Sequence, residues 1–215
     1  MTEPNAVVHL RRAYDLGKVV EGKTEDLRTR AASHDASLDA DQPFLQMVWT
    51  GIAGKRKLGA EKAELVRDLE LATSEMERAI SLDPEVRIET SDGPFNGTNM
   101  RAGIWLLYGQ IEMVWGTLQM ARQHLEYSLK VFELPETNFM LGAVCESQYQ
   151  AAPALQYYER YLELDPNGEF SVAALRAANQ LRNYRKRFRG DWTLLIVSLV
   201  LCFPIAFIYF ILKYK

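Results

Sequence analysis

Apolar and polar side chains alternate along most of this chain with a period near 3.6 residues, the spacing of helices that bury one face. The longest such stretch, residues 61–82, is stopped by Pro84. Residues 101–115, reading RAGIWLLYGQIEMVW, predict an apolar helix, and residues 118–134 predict a second that breaks at Pro135. Residues 138–150 and 153–164 predict the next pair, and 171–188 a further amphipathic helix. Pro43 precedes FLQMVWTGIAGKRKLG, whose apolar spacing suggests a helix over 44–57, with Gly59 as a turn before the next helix. Nearer the start, Val7, Leu10 and Tyr14 share one helical side before Gly17, and 24–38 suggest another short helix. Residues 85–100 hold Gly93, Pro94, Asn96 and Gly97, breaker chemistry that predicts a protruding loop.

Three helices end alike, in SEMERAISLDP, LEYSLKVFELP and YYERYLELDP. Their partners also agree: Trp49-x-x-Ile52-Ala53, Trp105-x-x-Tyr108-Gly109 and Asn138-x-x-Leu141-Gly142. A large residue at the first and fourth positions fills the space between helices, and Ala or Gly at the fifth permits close backbone approach. One antiparallel pair cannot bury its apolar face alone, but stacked pairs share a continuous core.

On these residues the chain resembles the tetratricopeptide repeat family over residues 42–166. Leu141, Gly142, Ala154, Tyr158 and Pro166 match its pattern, with Asn138 in place of the initial aromatic. Trp105, Tyr108, Gly109, Ala121 and Leu125 match in the preceding unit, and Trp49, Ile52, Ala53, Ala72, Met76, Ala79 and Pro84 in a more divergent one. The expected fold is all-α: a solenoid of antiparallel helix pairs with a capping helix and one C-terminal transmembrane helix. The domains implied are a helical extension at 1–41, a repeat domain with its cap at 42–189, and an anchor with a short tail at 190–215. The resemblance further implies a concave face, lined by the first helices, that captures a peptide or helix. Carried over to this chain, that face contains Leu106, Gln110, Met113, Val114, Phe139, Ala143, Glu146 and Ser147, with core packing as the competing role for Leu106 and Val114.

Charge and hydropathy change this picture at the C-terminal end. Residues 192–212, WTLLIVSLVLCFPIAFIYFIL, carry no formal charge and as a helix would rise about 31 Å, the thickness of a bilayer core. The formal net charge of −3 is an average of two unlike regions: Arg182, Arg185, Lys186, Arg187 and Arg189 crowd just before the apolar run, while the preceding chain is acidic. A basic cluster in that place suits anionic headgroups better than nucleic acid. It also predicts a cytoplasmic N-terminal domain and a three-residue tail across the membrane.

Candidate chemistry is sparse. No phosphate loop, dinucleotide fingerprint, zinc motif or nucleophile elbow is present, and His9, His34 and His124 lack ligand spacing. Cys145 and Cys202 form no disulfide framework, and Asn96-Gly97-Thr98 is a glycosylation tripeptide that a cytoplasmic domain leaves unmodified. The expectation is a protein without catalytic activity or cofactor. It is either a membrane-tethered adaptor or a structural or assembly subunit of a membrane complex.

Overall fold

The computed structural model describes residues 4–33, 58–90, 93–115 and 117–183. They are mostly helical: α1 (Pro4–Ser33), α2 (Leu58–Leu82), α3 (Gly97–Trp115), α4 (Leu118–Val131), α5 (Pro135–Ser147), α6 (Ala151–Leu164) and α7 (171–183). The helix expected over 44–57, with Trp49, Ile52 and Ala53, lies outside the described residues, as do His34, Cys202 and the apolar run at 192–212. Among the described residues, no helix is long and apolar enough to cross a membrane.

The helices pair antiparallel. His9 near the start of α1 meets Glu75 near the end of α2, and Lys23 further along α1 meets Glu64 and Asp68. In the next pair Ser128 of α4 reaches the carbonyl of Ala102, while Gly109 lies against Leu125. In the third, Phe139 meets Tyr161 and Glu146 meets Tyr158. The pairs join through further antiparallel contacts, Lys62 to Glu112 between α2 and α3 and Ser128 to Thr137 between α4 and α5.

Three apolar clusters fill the space between them. Leu10, Ala13, Met76 and Ala79 join Ile88 and Ile104; Val20, Leu65 and Leu69 join Leu107 and Ile111; Leu125, Met140, Leu141, Tyr158 and Tyr161 join Ala174 and Ala178 of α7. Each large aliphatic or aromatic side chain so buried contributes about 1.5–3 kcal/mol.

Three expectations are corrected here. The N-terminal region is one helix rather than two, because Gly17 is buried at a crossing where Met100 and Leu107 approach; burial offsets the low helix propensity of glycine. Gly59 lies inside α2 rather than in a turn before it.

Residues 85–100 do not protrude as a loop. They form a hairpin of β1 (Arg87–Thr90) and β2 (Gly93–Asn96), with Ile88 opposite Phe95. Ile88 points inward between exposed Arg87 and Glu89, and Phe95 makes an edge contact with Tyr14, so the hairpin covers the first cluster. The Asn96 side-chain oxygen then accepts the Asn99 amide at 2.9 Å, an N-cap that starts α3 four residues earlier than Arg101.

The three prolines act differently. Pro84 and Pro166 sit in turns past α2 and α6, whereas Pro135 opens α5 at a position that needs no amide hydrogen.

Candidate interaction surface

The side chains expected to line a groove come from α3 and α5. The glycines that place these helices are Gly109 and Gly142: an ideal Cβ at Gly109 would come 2.6 Å from Cγ of Leu125, and one at Gly142 would come 2.8 Å from the Tyr158 ring. Both glycines thus set how closely a first helix approaches its partner.

Most of the expected groove is nonetheless interior. Leu106, Met113, Phe139 and Ala143 are buried in the same cluster as Leu125, Leu141 and Tyr158, and Val114 is buried as well. The expected apolar centre is therefore core rather than open surface. The physical reason is clearest at Phe139, which is 4% exposed. Its ring stacks on Phe170 at 4.6 Å and 11°, with Tyr158 and Tyr161 each 5.7 Å away. The connection after α6 folds back to deliver that cover, fixed by the Phe170 amide donating to the Tyr161 hydroxyl at 3.0 Å.

Gln110, Glu146 and Ser147 remain partly accessible. The Tyr158 hydroxyl donates to the Glu146 carboxylate at 2.8 Å. Burial, and then the Glu146 charge, hold that phenol far above its usual range, so it stays a donor and fixes the carboxylate's position. The three positions offer hydrogen-bonding groups in place of a greasy slot.

Of the five basic positions, only Arg182 belongs to the described residues; Arg185, Lys186, Arg187 and Arg189 lie outside them. Arg182 is exposed, but its guanidinium donates twice to Glu159, at 2.7 and 3.1 Å.

An aromatic group on α3 and α4 was not foreseen as a unit. Trp105 contacts Tyr127 at 4.7 Å and stacks on His124 at 5.3 Å, and Tyr108 lies 5.6 Å from His124. Its signal was the pair of three-residue spacings, Trp105 to Tyr108 and His124 to Tyr127. Burial lowers the His124 pKa, Glu112 opposes this and Lys62 adds to it. Burial raises that of Tyr108, helped by Glu70 and opposed by a hydrogen bond with Thr73. Among the described residues, no cluster of His, Cys, Asp or Glu could hold a metal ion.

Neither the protein-family models nor the curated proteins compared with the chain gave a match.

Proposed function

We propose that this protein is a membrane-tethered interaction module: a tetratricopeptide-like stack of helix pairs held at a bilayer by residues 192–212, docking a peptide or helix of another protein. The observation that carries the repeat reading is the paired glycine seam, Gly109 against Leu125 and Gly142 against Tyr158, at the places where the sequence pattern repeats. The uncharged 192–212 run and the basic residues before it support the tether and its cytoplasmic orientation.

Because the apolar positions are interior, recognition rests on Gln110, Glu146 and Ser147. A basic or amide-bearing partner segment suits them. Crosslinking in cells with the intact chain, followed by affinity isolation, should recover a selective partner that is lost in Gln110→Ala/Glu146→Ala. An unchanged partner set in that variant would remove this surface from consideration.

Phe170 lying over Phe139 favours a second reading, in which the domain is a solid brace inside a membrane complex. Exchanging residues 192–212 for an unrelated span separates the two. Retained partner recovery fits a simple tether, and disassembly of a complex fits the brace.

A further inference from the structure

Antiparallel pairing sorts the connections to two ends of the stack. Residues 83–96, 132–134 and 165–170 lie at one end. At the other lie the α3–α4 junction at Thr117 and the α5–α6 turn at 148–150, while α7 starts from the first end at residue 171 and packs Ala174, Ala178 and Leu181 along the third cluster. Arg122 near the start of α4 ties this second end together, donating to Gln150 at 2.9 Å and Gln148 at 3.3 Å.

At the tip of that end stands Tyr149, 96% exposed, with a backbone φ of 59°. The left-handed conformation costs a bulky residue about 1–2 kcal/mol, and Gly or Asn would avoid most of it. The turn is nonetheless firm: the Gln150 amide donates to the Cys145 carbonyl at 2.8 Å and the Tyr149 amide to Glu146 at 2.9 Å. Met120, in the first turn of α4, is 44% exposed at the same end.

Charge is divided in the same sense. The opposite connections carry Asp83, Glu85, Glu89, Glu133, Asp165 and Glu169, whereas Thr117 and 148–150 carry no carboxylate. The acids at the Tyr149 end are engaged, Glu112 by Lys62, Glu126 by Arg122 and Glu146 by Tyr158, and so are those that the end of α1 and the start of α2 bring there, Glu25 by Arg28 and Glu64 and Asp68 by Lys23.

We propose that this end rests on the surface of an anionic bilayer, with Tyr149 as its interfacial anchor. The inference rests on the membrane-tethered reading above. A phenol with an apolar body and a polar tip suits the headgroup layer, and the acidic far end is repelled from it. The described part of α7 leads away from the acidic end, and the basic cluster and apolar run follow it in the sequence, so the tether would hold Tyr149 against the lipid.

The test uses the full chain, Cys202→Ser, in phosphatidylcholine vesicles with and without phosphatidylserine. An environment-sensitive dye is placed at Ala152→Cys, on the exposed first turn of α6, or at Glu169→Cys on the far end; Cys145 is buried. Headgroup spin-labelled lipid should remove most of the fluorescence at 152 in serine-containing vesicles and little at 169, and Tyr149→Ser should restore the signal at 152. An unquenched dye at 152, or quenching indifferent to Tyr149→Ser, in protein that floats with vesicles after an alkaline wash overturns the proposal and leaves the tether standing. Equal quenching without phosphatidylserine overturns its charge component. Protein that does not float overturns the tether reading, and this proposal with it.

Discussion

The ring of Tyr158 occupies the space where a side chain on Gly142 would stand, with Cδ1 and Cε1 each 2.8 Å from an ideal Cβ. Gly142→Ala must therefore push α5 and α6 apart, at an expected cost of about 1–3 kcal/mol. Gly103, also in a helix interior, has nothing within 4 Å of its Cβ position. Gly103→Ala is expected to stabilise by about 0.5–1 kcal/mol through helix propensity alone. Urea midpoints of the full chain in detergent should move in opposite directions, and a shared sign would contradict the seam.

Ser128 is completely buried and joins three elements. Its hydroxyl donates to the Ala102 carbonyl at 2.8 Å and lies 3.1 Å from the Thr137 hydroxyl. Ser128→Ala removes a buried hydrogen bond to Ala102 and takes away the partner of the Thr137 hydroxyl, with an expected loss of about 1–3 kcal/mol. Combined with Thr137→Val, the loss should be smaller than the sum of the single changes. Strict additivity in a double-mutant cycle would show that the two hydroxyls are not coupled.

Stability should fall as the solution is acidified through the histidine range, and His124 supplies part of that fall. Burial against Trp105 and Tyr108 lowers its folded pKa, with Glu112 opposing and Lys62 reinforcing. Between that lowered value and the ordinary 6.5, the unfolded chain binds a proton that the folded one refuses. The penalty is absent above that window and complete below it. His124→Phe should flatten the difference in melting temperature between pH 8 and pH 5; an unchanged difference would assign the effect elsewhere.

Glu136 titrates with the opposite consequence. Burial raises its folded pKa, its own backbone amide opposes this, and Asp165, Glu21 and Glu169 add to the rise. Above the ordinary carboxylate range the folded state holds a proton that the unfolded chain releases, so stability declines as pH rises through the raised value. Glu136→Gln is expected to raise the melting temperature at pH 7 and to have little effect near about pH 4. A lower melting temperature at pH 7 would mean that the negative charge at the start of α5 outweighs its burial.

The seams were legible because they depend on residue size at fixed helical spacing, and Gly109, Gly142, Leu125 and Tyr158 are visible as such. The groove was not. A 3.6-residue period shows which face of α5 is apolar but not what covers it, and Phe170, in a connection without periodicity, covers Phe139. The hairpin was missed for a related reason: the breakers Gly93, Pro94 and Asn96 outweighed the alternation in Arg87-Ile88-Glu89-Thr90, although Asn96 itself caps α3. Gly17 looks like a helix end in the sequence because the residues that crowd it, Met100 and Leu107, lie far along the chain.

That distance has a consequence for the order of assembly. In α5 and α6 the partners are sequence neighbours, Tyr158 and Glu146 being 12 positions apart, whereas His9 finds Glu75 across 66 and Arg11 finds the Glu89 carbonyl across 78. Closing the longer loops is the slower event, so pulse-labelled hydrogen exchange should find α1 amides protected after those of α5 and α6. During synthesis α1 is made before the helices that shelter it. Until α2 and α3 arrive, Leu10, Ala13 and Val20 are open to chaperones and to other nascent chains.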